Sequence, residues 1–503
     1  MNNILPFTSG AWVFISVYLL SLILVGWWGY RARNENTMHD FYLAGNGFGF
    51  IVLLLTLYAT QYSGNTLFGY SGKAYRIGYS WIMCIHFMTA IIVCYLLYVP
   101  RLYQVARQRK YITPTDYLND RFASKAINIL ATLVMIVVLS NYLLAQLMAM
   151  GRAMEGLTNT GSVFAYHYGV ILLTIIMVIY GTLGGIRAIA WTDAIQGLVL
   201  MAGFFILFFL LINSFGSISL ATDRILQSTD KDIFKRVLPP DVNRIREWFS
   251  YVILVGLGST LYPQAIQRVY AAKSAKVLRQ SLAVMAFMPL LTSLIAVITG
   301  IYALAYFPGL EGAASDQALP QLMGHIQQGS VFGYWLVVIL FAAVLAAMMS
   351  TADSALLSIS SMLSKDIYGR FINKNASEAR LTYMGKIFSW LLIVILVWLA
   401  IYLKDKASLL TLLDRKFDLL IQLVPAFMLG IHFSILKPVP VFIGMLAGIL
   451  LSLVLAFGNF DFVISGKIAG IHPGLFGLAL NLFIVCCGSV LPGNRKIKPN
   501  PIF

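Results

Sequence analysis

Charged side chains are scarce in this chain. They make up 11% of its 503 residues, where a soluble globular protein carries about 25%. That shortage excludes an ordinary water-facing surface. Acids are scarcer still, 20 Asp and Glu against 36 Lys and Arg. Cysteine is nearly absent, and Cys84, Cys94, Cys486 and Cys487 all fall in apolar segments. They read as small hydrophobes, which excludes a disulfide framework or a cysteine metal centre. Residues 1–9 contain no lysine or arginine. A cleaved signal peptide starts with a basic region, so the first apolar stretch is expected to be a retained helix with its N-terminus outside.

What the chain does have is hydrophobicity, 59% of its residues and a mean hydropathy of +0.81. The net charge of +16 would suit nucleic acid, but the cations sit in short connectors between apolar runs, so the lipid bilayer is the expected environment and nucleic acid is not. A helix rises 1.5 Å per residue, so a hydrocarbon core about 30 Å thick needs roughly 20 residues. Such stretches occur near 8–30, 50–70, 78–99, 126–151, 164–183, 189–212, 247–267, 281–303, 331–360, 387–403, 417–436, 438–457 and 470–491. The expected fold class is therefore an all-α polytopic membrane protein with about thirteen transmembrane helices. With the N-terminus outside, the inside connectors hold 22 of the 36 basic residues, as the positive-inside rule requires. Arg268 is counted in an inside connector and Lys416 in an outside one. The C-terminal tail then lies in the cytoplasm, and the plasma membrane is the expected location.

With Glu247 and Asp418 at span edges counted in the outside connectors, two acids fall inside spans, Asp193 in GTLGGIRAIAWTDAIQG (181–197) and Asp353 in AAMMSTADSALLSISS (346–361). An ionised carboxylate in hydrocarbon costs several kcal/mol, so each must meet a polar cavity, an ion or a partner. A helix end or a hydrogen bond to a neighbouring helix is the plainer account. No lysine or arginine in a predicted span offers an ion pair, which leaves a bound cation as the neutralising group.

Ala347, Ser350, Thr351, Ser354 and Ser358 recur at three- and four-residue spacing and share one helix face. Na+ is a hard cation that takes about five or six oxygens near 2.4 Å. Hydroxyls and a few carbonyls supply that set, although a stripe of small residues also serves helix packing. An intact helix has already used its carbonyls, so a second segment must break inside the membrane. ATQYSGNTLFGYSG (59–72) carries Gly64 between Ser63 and Asn65; VGLGSTLYPQAIQ (255–267) carries Gly256, Gly258 and Pro263. The two segments open matching sets of five helices, the arrangement expected of an inverted-repeat secondary transporter with a midplane site. The expected domains are 1–48 (extra helix and first inside loop), 49–212 (first repeat), 213–246 (extracellular loop), 247–436 (second repeat) and 437–503 (two helices and a short tail).

Four motifs make the chain resemble the sodium/solute symporter family, which includes bacterial proline, pantothenate, sialic-acid and sugar symporters. They are TLYATQYSGNT (56–66), YGTLGGIRAIAWTDAIQG (180–197), YPQAIQRVYAAKS (262–274) and LAAMMSTADSALLSISSMLSKDIY (345–368). The resemblance implies a five-plus-five inverted repeat preceded by one helix. It implies a main Na+ site of the Ala59, Tyr62 and Ala347 carbonyls with the Ser350 and Thr351 hydroxyls. Asp193 would lie near that site. A second site would use Asp193 together with Ser350, Asp353 and Ser354, where this chain departs from the family by placing a carboxylate at 353. That departure would strengthen a second Na+ or let Asp193 and Asp353 carry a proton.

The solute cavity is expected between the two broken helices, lined by Gln61, Tyr62, Asn65, Thr66, Tyr262 and Gln264, with His86 and Gln146 as contributors. His86 is equally readable as a core histidine. The family's sugar carriers use a glutamate in the second core helix, and 78–99 holds no carboxylate. Its sialic-acid carriers use an arginine in the third, and 126–151 holds no basic residue. A small amino acid or monocarboxylate, gripped by amides and hydroxyls, is the expected solute, and the same groups also permit a neutral one. Na+ is the expected coupling ion, with no organic cofactor, no enzymatic activity and no obligate protein partner. A proton-coupled symporter and a solute sensor on a transporter scaffold are the alternatives.

Overall fold

Turn chemistry decides where the apolar runs start as helices. In the computed structural model, which describes residues 7–32, 35, 37–158, 163–404, 409–458, 460–464 and 466–491, Asp241, Ser330 and Ser377 cap helix N-termini. Each side chain accepts the backbone N–H three residues on. Pro114, Pro263, Pro438 and Pro473 each occupy a first helical position, where the missing N–H is not needed. Among the described residues, nine helices are long and apolar enough to cross a membrane, or ten when one bent pair is taken as a single span. Large apolar residues such as Val17, Leu24, Val93, Phe209, Val394 and Trp398 point outward, while Thr56, Asp193, Arg268, Ser350 and Asp353 are buried. That inside-out distribution is what lipid demands.

Nine or ten is fewer than the thirteen stretches counted above, because broken helices change the count. Val163–Phe215 runs as one helix through two of those stretches, interrupted at Gly185 (φ 61°). Phe50–Gln61 is too short to span alone. It stops at Tyr62 and Ser63, both extended, and the chain restarts as Gly64–Ile77. The break thus lies just before Gly64. In the second broken segment Gly256 and Gly258 stay within Val242–Ser259, and the chain turns at 260–262 before Pro263–Ala271, a bend of 51°. The stretch expected over 387–403 begins earlier, as Glu378–Tyr402.

The first helix, Ser9–Arg31, lies flush against Val163–Phe215 because its facing residues are glycines. A Cβ on Gly26 would stand 2.4 Å from the Tyr180 Cβ, and one on Gly29 would stand 2.7 Å from the Ala188 Cα, the close approach that small residues permit in a bilayer. At the other end of the chain Pro438–Phe457 packs on Pro473–Val490. Gln422 joins that pair to the core by donating to Ser452 Oγ (3.2 Å) and Gly474 O (2.9 Å).

Gly185 permits a direct test of the kink. Its φ lies in the left-handed region, which costs an L-residue about 1–2 kcal/mol, and a Cβ there would stand 2.5 Å from the Phe41 carbonyl oxygen. Gly185→Ala is expected to lower the melting temperature of the purified protein. Gly181→Ala, whose new methyl meets only Ile189 at 3.7 Å, is expected to leave it within ordinary scatter. Equal melting of the two variants would refute the account of the kink.

Candidate functional site

The first helix break frees carbonyls that an intact helix would use. Tyr62 sits at φ −102°, ψ 103° and Ser63 at φ −106°, ψ 179°, so the hydrogen-bond ladder stops there. The hydroxyl-bearing helix, Val331–Met362, crosses this point. Ser350 Oγ donates to the Ala59 carbonyl at 2.9 Å, and Thr351 Oγ1 lies 3.4 Å from the same oxygen and 3.0 Å from the Ala347 carbonyl. Ala59, Ala347, Ser350 and Thr351 are fully buried, and Tyr62 is nearly so. Four of the five main-site residues expected from sequence thus meet within hydrogen-bond distance, and Tyr62 caps the break beside them. All the donors are neutral oxygens, the set a hard monovalent cation takes.

A few residues away lies a buried charge network, and one sequence expectation is corrected there. Asp193 has an arginine partner inside the protein: Arg268 Nη2 stands 2.7 Å from its Oδ2. Arg268 is 2% exposed. It reaches into the core because Pro263–Ala271 is the second half of a broken span and stays inside the protein to its end. Its guanidinium also donates to Thr56 Oγ1 (2.7 Å), to the Gln264 carbonyl (3.0 Å) and to Ser354 Oγ. Thr56 donates in turn to Asp193. Asp353 accepts from Tyr180 at 2.5 Å and from Ser354 Oγ at 3.2 Å. The network holds two carboxylates and one guanidinium.

Beside the break opens a cavity of about 750 Å³, counting its mouth. Gln61, Thr66 and Tyr262 line it, as expected. Tyr62, Gln264 and Gln146 are buried but do not line it. Tyr62 turns its ring onto Tyr58, with centroids 4.9 Å apart. His86 is exposed and meets the Trp248 edge at 5.5 Å, outside the cavity. The Asn65 side chain lies outside the described residues.

Sequence reasoning missed two cations among the described residues that line the cavity, Lys73 and Lys416. Lys416 was assigned to a connector, yet it is 3% exposed on the helix Leu409–Leu420. The missed signal was the phase of that segment: Lys416 and Leu420 are four apart and so share one helix face. Lys73 stands 3.6 Å from Glu247, which also holds Arg244 and Lys467 at 2.5 Å.

Just beyond the C-terminal end of the hydroxyl-bearing helix, on Leu363–Ile372, lies a further ion-pair cluster. Asp116, on Pro114–Phe122, accepts from the Ile112 and Thr113 N–H groups and pairs with Lys365 (2.5 Å) and Arg370 (3.0 Å). Burial pushes the Asp116 carboxyl up, but the charge of Lys365 and the hydrogen bonds outweigh it and hold it below the ordinary carboxylate range.

The profile of the Sodium:solute symporter family matches residues 41–448. The osmoregulated proline transporter of Bacillus subtilis (strain 168) is 26% identical over 394 residues, 77% of each chain. The sodium/pantothenate symporter of Haemophilus influenzae is 25% identical over 388 residues, 76% of this chain and 78% of that one. A solved Na+-coupled sialic acid symporter, in a substrate-bound outward-open state, superimposes with a TM-score of 0.76 at 20% identity, covering 96% of this chain and 98% of its own.

Proposed function

Since the chain belongs to the sodium:solute symporter family, we propose a specific form of sodium-coupled uptake for it. It is a multi-pass membrane protein that couples Na+ flow to the uptake of a small organic solute. The proposed solute is an amino acid or a monocarboxylate, in keeping with the proline and pantothenate carriers it resembles. The proposed architecture is thirteen helices, an extra first helix before repeats at 49–212 and 247–436, with the N-terminus outside and the C-terminus in the cytoplasm.

The observation that carries this reading is the contact of Ser350 and Thr351 with the Ala59 carbonyl at a helix break. Na+ held there ties the hydroxyl-bearing helix to the broken one and so favours the conformation that binds solute. Loss of Na+ to a sodium-poor interior releases the tie. The ion moves the equilibrium only because it binds one conformation better than the other. At −100 mV each charge carried inward adds about 2.3 kcal/mol, close to fifty-fold accumulation. Transport, not catalysis, is the proposed activity.

The test is uptake into proteoliposomes of the purified protein, with proline and pantothenate as first solutes. A Na+ gradient is expected to drive accumulation where K+ does not. Solute movement indifferent to every cation gradient would reject symport.

A proton-coupled variant has one observation in its favour. With one guanidinium for two carboxylates, the Asp353–Tyr180 pair is left to hold a second Na+ or a proton. Asp353→Asn is expected to lower the ion-to-solute ratio by one while leaving activation through the main site intact. An unchanged ratio would reduce Asp353 to a packing role. A ratio that changes only under a pH gradient would identify the second ion as H+.

A further inference from the structure

Two walls of the cavity are joined by one short segment from the far end of the chain. Tyr251, Val255 and Ser259 line the cavity from Val242–Ser259, stepping away from the break at 260–262 along one helix face. Glu247 is the next step on that face. Phe417 lines the cavity from Leu409–Leu420. The two walls touch beside the break, where a Cβ on Gly258 would stand 3.4 Å from the Phe417 ring. Away from the break they are joined through the connection between the last two helices. In the orientation proposed above, this is the extracellular end of the cavity.

That connection is a hairpin, with Val463–Ile464 paired antiparallel to Lys467–Ile468. Toward Val242–Ser259, Lys467 Nζ stands 2.5 Å from Glu247 Oε1 and 3.4 Å from the Tyr251 hydroxyl. Ser250 Oγ accepts from the His472 N–H at 2.8 Å and lies 2.5 Å from His472 Nδ1. Gly470 lies on the helix backbone, and a Cβ there would stand 2.6 Å from the Asn243 carbonyl oxygen. Toward Leu409–Leu420, Arg415 donates to the Gly466 carbonyl at 3.3 Å, and Asp418 Oδ1 accepts from the Gly474 N–H at 2.7 Å. Glu247 Oε1 also faces Lys73, 3.6 Å away on Gly64–Ile77, so the same carboxylate reaches a third wall.

We propose that the hairpin over 463–472 is a strap across the solute cavity, which opens when the strap lets go of Val242–Ser259 while staying fixed to Leu409–Leu420. The two attachments differ in kind. Asp418 and Gln422 hold Gly474 in a buried network that runs on to Ser452 and Asn481, and a satisfied buried network is costly to break. The other attachment rests on a two-stranded hairpin, which is marginally stable by itself. Lys467 and Arg244, which pair with Glu247 there, keep 12% and 37% of their side chains exposed, so water can replace either partner. The hairpin lies beyond residues 41–448, the stretch that the family profile matches. The strap rests on the symport reading only in taking this cavity as the solute's.

The test follows opening of the cavity and needs no solute. Cys84, Cys94, Cys486 and Cys487 are replaced by alanine, and Ser259→Cys is added as a reporter in the cavity wall. The rate at which sulfonatoethyl methanethiosulfonate modifies the full-length purified protein is measured in Na+ and in K+. Lys467→Met is expected to raise that rate roughly ten-fold or more, the worth of a hydrogen bond between charged groups. Lys467→Arg should keep it within about three-fold of the reporter alone. Lys437→Met, whose ammonium meets the Leu491 carbonyl at the other end of the last helix pair, should leave it unchanged. Ser250→Cys with His472→Cys, oxidised to a disulfide, should slow modification by about ten-fold or more, because the open state is then withheld. Melting curves check that each variant is folded.

The strap is overturned if Lys467→Met stays within about two-fold of the reporter alone, or if Lys437→Met accelerates modification equally. It is overturned as well if the closed disulfide leaves the rate unchanged, or if the reporter reacts in no variant. Should the disulfide fail to close, the comparison of Lys467→Met with Lys467→Arg and Lys437→Met decides. Rates equal in Na+ and K+ would count against the hold of sodium on the conformations and leave the strap standing.

Discussion

Ser350→Ala and Thr351→Ala are each expected to raise the Na+ concentration for half-maximal uptake by about ten-fold or more. Ser350 and Thr351 touch the Ala59 carbonyl from one helix face, and removal of a hydroxyl that binds an ion or donates in a buried site costs roughly 1–3 kcal/mol. At 1.4 kcal/mol per decade this reaches about a hundred-fold. The double variant should lose sodium activation almost entirely. In the absence of Na+ the melting temperature should fall only modestly, since each variant loses a buried hydrogen bond but no packing larger than one methyl. The readout is Na+-dependent uptake in proteoliposomes beside the melting curve. Sodium activation that survives both substitutions would remove the ion from this place, whatever else remained of the transporter.

Arg268→Met is expected to damage the protein rather than its sodium dependence. The guanidinium bridges Asp193, Thr56, Ser354 and the Gln264 carbonyl, all buried. Breaking a buried ion pair from one side costs about 3–5 kcal/mol, because the other charge is left without compensation. Here Asp193 would lose its ion-pair partner. A loss of that size is a large share of the 5–15 kcal/mol that stabilises a typical domain, so folded protein in the membrane should fall severely. Arg268→Met with Asp193→Asn removes the orphaned charge and is expected to recover a substantial part of the yield. Fluorescence-detected size exclusion of the three variants checks this. Wild-type yield from Arg268→Met alone would show that the pair contributes little, and failure of the double variant to recover would show that shape, not charge, decides.

The membrane class, the helix breaks and the hydroxyl face were all legible in the sequence, because each is a local property. Apolar length, a glycine or proline at a break, and three-and-four spacing need no knowledge of distant residues. That the hydroxyl face would meet the broken segment 59–72 followed from such signals, while the pairing of Ser350 with Ala59 in particular was implied by the family resemblance. The exact point of the break did not follow. Gly64 marked the place, but Tyr62 and Ser63 are the residues in extended conformation.

Charge was misread for one reason in two places. Arg268 and Lys416 both lie at the edge of an apolar run, where a shift of a few residues separates connector from core. Hydropathy treats such a residue by its neighbours in sequence. Its true surroundings are helices from elsewhere: Asp193 comes from Val163–Phe215 and Ser354 from Val331–Met362, while Tyr142 comes from Lys125–Thr158. His86 erred in the opposite direction, placed inside by its apolar neighbours and found on the exposed face.

The sequence by itself determined that this chain dissolves in lipid, that its helices break at two places, and that hydroxyls gather near one of them. Only the tertiary structure decided which charges are buried together and which side chains face the cavity. Solubility in lipid and helix breaking act along the chain, through composition and backbone geometry. The energy of a buried charge depends on whatever stands within a few ångströms of it, and that is set by the packing of helices far apart in sequence.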